Sequence, residues 1–292
     1  MICNQAPYVD LGNAILGWIA QNLRSNLFDA LFLKVSMFGE MLSMLLIMSS
    51  IYWFWDREKS RLIIHATLTS LFANNFIKLI FAECRPPSDL WLEVIPSNSF
   101  SFPSGHAQVT IVLFAGLAYY SNSKLIAAAF WLTGILVGLS RLYLGVHYLH
   151  DVIIGLVLGL SILALFIFGS KYIRLLRGFE YWIWTVFWLF LLGATLIAVK
   201  PAGIGVTTYA VMLGFWLGSR VVSYQRTAPF NLISLMVGFG GILLLRNGIN
   251  EINFGFEGNF AKTLKFIQYF SIGLWISLIA PKVFANKQFS RD

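Results

Sequence analysis

Charged residues and cysteines are scarce in this sequence. Only 12% of the 292 residues are Asp, Glu, Lys or Arg, whereas 58% are hydrophobic. Soluble domains carry about 25% charged residues, so this composition excludes a large soluble enzyme. Long apolar runs with few charges are typical of membrane-spanning helices. The sequence therefore predicts an all-α, polytopic membrane helix bundle.

The two cysteines, Cys3 and Cys84, have no metal-ligand spacing and make no disulfide framework. Both fall on the outer side of the membrane in the topology predicted below. A bridge between them is therefore an open alternative, but we expect both thiols to be unpaired. The N-terminus has no basic segment followed by an apolar run and a small-residue cleavage site, so we expect no removable signal peptide.

The formal net charge of +8 would suit a nucleic-acid partner. However, the basic residues are scattered through short loops, so we predict no nucleic-acid binding. The expected partners are the lipid bilayer and a membrane lipid. No oligomeric state is indicated by the sequence.

Residues 8–24 are too short and polar to span a membrane, and they predict an interfacial helix with Trp18 at the headgroup level. The later apolar runs predict about nine spans, near 32–55, 62–81, 103–121, 124–141, 146–168, 181–199, 201–219, 229–246 and 264–281.

Three groups of polar residues interrupt the apolar sequence. They are Lys78 with Arg85-Pro86, then Pro103-Ser104-Gly105-His106, and finally Ser140-Arg141 with His147 and Asp151. On a helix, a four-residue spacing places His147 and Asp151 on one face, where the carboxylate can fix the imidazole tautomer. The guanidinium groups of the arginines and the ammonium group of the lysine can donate hydrogen bonds to the oxygens of a phosphate. The three groups together predict a phosphate site.

The spacing of these groups resembles the signature of the type 2 phosphatidic acid phosphatase superfamily. That signature is Lys, six residues, Arg-Pro; then Pro-Ser-Gly-His; then Ser-Arg, five residues, His, three residues, Asp, and the sequence matches it without a departure. The resemblance covers roughly residues 38–168. It implies an integral-membrane lipid phosphatase similar to the dolichyl- or undecaprenyl-diphosphatase or sphingosine-phosphate-phosphatase branches.

The resemblance also implies roles for single residues. His147 would be the nucleophile that forms a phosphohistidine, Asp151 would orient it, and His106 would act as acid and then as base. The phosphate would be bound by Lys78, Arg85, Ser104, Gly105 and Arg141. No metal and no cofactor are predicted, because cationic side chains take the place of a metal. We expect an N-terminal interfacial helix (1–30), a catalytic core (31–170) and further transmembrane helices of unassigned role (171–292).

Other polar residues near the motifs are expected to be structural. Glu40, inside the first apolar run, should hydrogen-bond within the bundle or pair with a cation such as Lys78 or Arg85, since a carboxylate facing a phosphate would repel it. Glu83, in the long loop, is expected to be solvated. His150 points about 100° away from Asp151 on a helix, which favours a supporting or interfacial role.

Loop lysines and arginines are more frequent on the side of the membrane opposite to the motifs. The positive-inside rule therefore predicts that the site faces the periplasm or exterior in a bacterium, or the lumen of an organelle, and we expect the bacterial plasma membrane. The alternative function is a lipid flippase or transporter that uses the same phosphate site, because intramembrane charges also mark transport paths. Haloperoxidase chemistry is a third alternative, but the membrane composition argues against it.

Overall fold

The computed structural model describes residues 3–5, 9–95, 99–175, 186–187, 204–221, 230–252 and 258–286. These residues contain no β-strand, and the only bridge among them joins Asn4 and Glu83. In the first half the α-helices are α1 (Val9–Asn22), α2 (Asn26–Ser36), α3 (Met41–Phe54), α4 (Arg57–Phe81), α5 (Gly105–Tyr119), α6 (Lys124–Tyr143) and α7 (Leu149–Leu175). They are followed by α8 (Ile204–Val221), α9 (Leu232–Ile252), α10 (Gly258–Leu274) and α11 (Ala280–Asn286).

Four described helices are long and apolar enough to cross a membrane: Arg57–Phe81, Lys124–Tyr143, Leu149–Tyr172 and Phe260–Ala285. The bent pair Asn26–Gly39 and Met41–Phe54 makes five if it counts as one span. Gly105–Tyr119 and Leu232–Gly248 are apolar but shorter. The prediction of nine spans is therefore not confirmed, and the predicted span at 181–199 lies almost wholly outside the described residues.

The first apolar run is not the single continuous span that its composition predicts. A short 3-10 helix, Met37–Gly39, ends α2, and Glu40 follows with extended backbone (φ −69°, ψ 145°) before α3 begins. The two helices meet at an angle of 57°. Gly39 disfavours a continuous helix at the break, but glycines inside α5 and α6 do not break those helices, so the close contact of Gly39 with His106 contributes as well.

The chain divides into two compact units. The first comprises Met1–Met44 and Ala66–Gly169, and the second Leu45–His65 and Ser170–Asp292. In the first unit, α6 packs against α5 and α2, and glycines let α7 approach α5 closely. A side chain at Gly159 would place its Cβ 2.4 Å from the Gln108 carbonyl oxygen. All of the motif residues lie in this first unit.

Aromatic side chains and close helix packing both hold the described part of the second unit together. The Trp53 indole N–H donates to the Ile276 carbonyl over 2.8 Å, and the Trp275 indole N–H donates to the Gly238 carbonyl over 2.9 Å. His65 is buried here and its ring contacts Phe215 edge-on. α8 packs against α10 through close contacts at Gly214 and Gly273.

Candidate active site

The turn between α6 and α7 positions the third motif. The Gly145 N–H donates to Leu142 O over 3.0 Å and the Val146 N–H donates to Arg141 O over 3.2 Å, which is the Schellman pattern of a helix C-terminus. Gly145 has a φ of +73°, and a Cβ there would lie 2.1 Å from Leu90 O. Only glycine fits this position. The turn therefore ends α6 and lies between Arg141 and His147, two residues of the third motif.

His147 and Asp151 are in contact, but not in the way that their spacing predicts. The two atoms His147 Nδ1 and Asp151 Oδ2 are 3.2 Å apart, yet α7 begins at Leu149, so His147 precedes the helix. The Asp151 carboxylate reaches back and accepts the Tyr148 N–H over 2.9 Å, as the third residue of a capping box does. The expectation that both residues share a helix face is wrong. A helix-capping carboxylate makes the pair instead.

The hydrogen bonds around His147 define its tautomer. An arginine can only donate, and Arg85 NH1 lies 3.2 Å from His147 Nε2, so Nε2 carries the lone pair. Nδ1 then carries the proton and donates it toward Asp151. Arg85 is itself fixed, since NH1 also donates to Val146 O over 2.8 Å and Nε donates to Ser99 O over 3.1 Å. The arrangement leaves an unprotonated imidazole nitrogen directed at a guanidinium.

Ser101 connects residues from all parts of the site, and its role is absent from the sequence motifs. Its hydroxyl donates to Asp151 Oδ2 over 2.5 Å and lies 3.4 Å from His147 Nδ1. The Lys78 ammonium donates to the carbonyls of Phe100 and Ser101, each over 2.7 Å. Lys78 therefore holds the loop that carries Ser101, and these two bonds use two of its three N–H groups.

Arg141 is buried, with 1% of its surface exposed. Its NH1 donates to the Ser36 hydroxyl and to Glu93 Oε2, the latter over 2.7 Å. Among the residues that the structure describes, its Nε has no hydrogen-bond partner. A buried guanidinium with an unused donor suits an anion at this position. Glu93 was not identified from the sequence, because a single glutamate in a long loop carries no spacing signal.

The second motif begins α5. The Ser104 hydroxyl caps the helix by accepting the Ala107 N–H over 3.5 Å, and the Ser104 N–H donates to Asp151 O over 3.0 Å. A Cβ at Gly105 would lie 3.0 Å from Asn74 Oδ1, so this position is tightly packed. His106 follows, with Nε2 3.3 Å from Glu40 Oε1. Glu40 thus contacts a motif histidine, which agrees with the first of the two predicted alternatives, a hydrogen bond within the bundle.

Glu83 is buried, so the expectation that it is solvated is wrong. Its Oε2 lies 3.1 Å from His150 Nε2, and the same nitrogen is 3.2 Å from Asp151 Oδ1. The ligand atoms of these three residues lie within 4.8 Å of one another and could hold a cation, although these contacts already account for their arrangement. His150 stacks on Phe102 and Tyr148, so it supports Asp151 from the side opposite to His147.

A disulfide joins Cys3 to Cys84, next to Glu83, which corrects the expectation of unpaired thiols. The Cys84 N–H donates to Asn4 O and the Asn4 N–H donates to Ala82 O, each over 2.8 Å. Sequence alone could not reveal this pairing, since the two cysteines are separated by 81 positions. The bond fastens the N-terminal segment beside the loop of the site.

Three positively charged side chains lie close enough to His147 to act on its ring. Burial and the positive charges of Arg85, Lys78 and Arg141 hold the pKa of His147 well below its usual range. Burial, followed by the charge of Arg141, lowers the pKa of Arg85 to about 10, so this guanidinium stays charged at neutral pH. The site therefore combines a neutral imidazole with cationic donors, which is the combination that attack on an anion requires.

We expect the His147 ring to remain neutral at pH values well below 6.5. Because the unfolded chain protonates this histidine near pH 6.5 while the folded chain does not, its contribution destabilises the fold as the pH falls through that value. Nitrogen-15 histidine spectra of the full chain in micelles, with a His147→Gln spectrum to assign the signal, measure the midpoint. A His147 midpoint close to pH 6.5 would contradict the expectation.

The chain matches two family models along most of its length. Residues 60–175 match the PAP2 superfamily, and residues 206–291 match the transmembrane extension of PAP2 superfamily phosphatases. With its apolar helices, the chain is a multi-pass integral membrane protein.

A curated protein and two solved structures are similar to the chain. Phosphatidylglycerophosphatase B of Bacillus subtilis is 31% identical over 106 residues, which is 33% of this chain and 51% of that protein. The chain thus spans about half the length of this relative. One solved structure is the crystal structure of the first transmembrane PAP2 type phosphatidylglycerolphosphate phosphatase from Bacillus subtilis. It superimposes with a TM-score of 0.49 at 23% sequence identity, and the match covers 56% of this chain and 86% of that chain. The crystal structure of Aquifex aeolicus LpxE superimposes with a TM-score of 0.47 at 23% sequence identity, and the match covers 57% of this chain and 99% of that chain.

Proposed function

Because the chain belongs to the PAP2 superfamily, we propose that it is a lipid phosphatase that hydrolyses a lipid phosphomonoester or pyrophosphate through a phosphohistidine. The observation that carries the proposal is the 3.2 Å contact between His147 Nε2 and Arg85 NH1 in a cluster built by all three motifs, because a guanidinium can only donate and Nε2 must then accept. An imidazole nitrogen that faces a phosphate-binding guanidinium is placed for attack on phosphorus.

The proposed reaction has two steps, formation of the phosphohistidine and its hydrolysis. His147 Nε2 donates its lone pair to phosphorus, the bond from phosphorus to the lipid oxygen breaks, and His106 gives that oxygen its proton. Water then attacks the phosphohistidine, His106 takes the proton of the water, and the phosphorus–nitrogen bond breaks. Inorganic phosphate leaves, His147 regains its lone pair, and His106 regains its proton.

Lys78, Arg85 and Arg141 neutralise the nonbridging oxygens in this scheme, so the proposed reaction uses no metal. Asp151 stabilises the charge that develops on His147, because its carboxylate contacts the ring nitrogen opposite to the one that attacks. The Ser104 hydroxyl caps α5 by accepting the Ala107 N–H, and this bond leaves its own O–H hydrogen able to donate to a phosphate oxygen. Gly105 allows Asn74 to approach the start of the helix.

We propose that the site faces the periplasm or exterior. The Cys3–Cys84 disulfide lies next to Glu83, which contacts His150 in the site, and disulfides persist in oxidising compartments. The excess of basic loop residues on the opposite side supports the same orientation. Hydrolysis of a membrane-confined substrate in sealed right-side-out vesicles, but not in inverted vesicles, tests it.

The function is tested with purified full-length protein in mixed micelles that contain EDTA. The lipids are phosphatidate, phosphatidylglycerophosphate, undecaprenyl pyrophosphate, lipid A and a sphingoid-base phosphate, each scored by the release of inorganic phosphate. We expect at least one of them to be hydrolysed at a rate that EDTA does not change. Failure with every lipid would contradict the hydrolase, and inhibition by EDTA would contradict the metal-independent mechanism.

A further inference from the structure

A second carboxylate–histidine pair lies in the site, beside the pair formed by Asp151 and His147. Glu40 Oε1 is 3.3 Å from His106 Nε2, and the side chains are 51% and 21% exposed, respectively. Glu40 is brought there by the break between α2 and α3, where its own backbone is extended. A continuous helix through residue 40 would not have this conformation.

Gly39 makes the approach of this segment to His106 close. A Cβ at Gly39 would lie 2.3 Å from His106 Cδ2 and 2.9 Å from Cγ. The break therefore packs against the ring edge that carries Cδ2 and Nε2. The opposite edge, which carries Nδ1, faces away from Gly39 and Glu40. The geometry thus assigns different tasks to the two ring nitrogens.

We propose that Glu40 is a positioning residue for His106, which it holds through the Nε2 proton so that Nδ1 exchanges protons with the substrate and with water. An ionised carboxylate only accepts hydrogen bonds, so Nε2 keeps its proton in both steps of the cycle. The negative charge also stabilises the imidazolium that must form when His106 takes a proton from water. This inference rests on the proposed function and adds a residue that lies outside the three motifs.

Two other charged groups, Arg141 and Glu93, also influence the protonation of the His106 ring. Burial and then the charge of Arg141 oppose the protonated ring, whereas Glu93, which pairs with Arg141, favours it. Neither group is hydrogen-bonded to the ring in the contacts described above, whereas Glu40 is. Replacing Glu40 therefore removes a direct contact and leaves the Arg141–Glu93 pair in place.

The experiment compares Glu40→Gln, Glu40→Asp and the control Glu58→Gln, an exposed glutamate at the start of α4. Glutamine keeps the size of the side chain but removes its charge. We expect Glu40→Gln to move the alkaline limb of kcat/KM about 0.5–1 pH unit lower and to reduce kcat about tenfold, with little change in KM. The steady-state level of phosphoenzyme should rise, because a less basic His106 slows the attack of water.

The outcomes separate the inference from the function on which it rests. Glu40→Asp should retain part of the wild-type pH profile because it keeps the charge, and Glu58→Gln should retain all of it. A wild-type profile and phosphoenzyme level for Glu40→Gln, in an enzyme that still depends on His147, would overturn the role of Glu40 alone. A lower rate without any shift of the limb would also overturn it, since loss of packing would then explain the effect. Activity that persists in His147→Ala would overturn the proposed mechanism and this inference together.

Discussion

Replacing His147 by alanine is expected to lower the rate of phosphate release by about 10⁴-fold or more, because loss of the nucleophile removes the covalent route altogether. His147 is 2% exposed and lies at the centre of the described contacts, with Arg85 on Nε2 and Asp151 on Nδ1. The measurement is initial phosphate release from the best lipid of the micelle panel, with acid- and alkali-quenched samples to detect a phosphohistidine, which alkali preserves. The alanine variant should form no alkali-stable phosphoenzyme.

Asp151→Asn is the companion variant, and it should retain the nucleophile but lose about 10³–10⁴ in kcat. An amide cannot stabilise the imidazolium, and its NH₂ group would face the Ser101 hydroxyl or the Tyr148 N–H, where the carboxylate now accepts. Both variants should still bind inorganic phosphate in calorimetry, since Lys78 and Arg141 remain. Phosphate release at the wild-type rate by His147→Ala would contradict the assignment of the nucleophile.

The motif residues could be found from the sequence because the match to the motif depends on the number of residues between them, and a wrong prediction of the local helix boundary does not change that number. His147 and Asp151 meet even though the helix expected to join them begins two residues after His147. The contact depends on a carboxylate that caps the helix, and the same four-residue spacing produces it. The boundaries of α5 and α6 are likewise within a few residues of the predicted spans, because long apolar runs between loop signals determine them.

The carboxylates of the site could not be found in this way. Glu40, Glu83 and Glu93 contact His106, His150 and Arg141, respectively, from segments that are far from those partners in sequence. No periodicity relates these pairs, and each glutamate alone is compatible with a solvated loop or a helix end. Their placement depends on the break after Gly39 and on the course of the loop after α4. Both features are tertiary, since glycine or serine in a loop does not specify its path.

These three glutamates explain how so many positive groups can share a buried site. Each one lies against a cation or a histidine of the cluster, whereas the Arg141 Nε has no partner in the described part of the chain. A buried charge without a partner is costly, so a cationic site needs counter-charges when no anion is bound. The phosphate would then find donors that are already oriented, which is the arrangement that favours the transition state.

The disulfide is the remaining support of this arrangement, and its removal is expected to have a large effect. The double variant Cys3→Ser, Cys84→Ser should lose roughly 2–4 kcal/mol of unfolding free energy, because the bond closes a long loop. Activity should fall as well, since Glu83 immediately precedes Cys84 and its carbonyl accepts the Ser101 N–H over 2.9 Å. A looser Ser101 would weaken its bond to Asp151 and the hold of Lys78 on the loop.

The measurements are the thermal unfolding midpoint and kcat, each with and without a phosphine reductant. Reduction should bring the wild-type protein to the values of the double variant, and the double variant itself should not respond to reductant. Equal activity in all four samples would show that the bond is dispensable for the geometry around Asp151. A fall that is confined to the unfolding midpoint would show that the loop keeps its path without the disulfide, through hydrogen bonds such as those of Asn4 and Lys78.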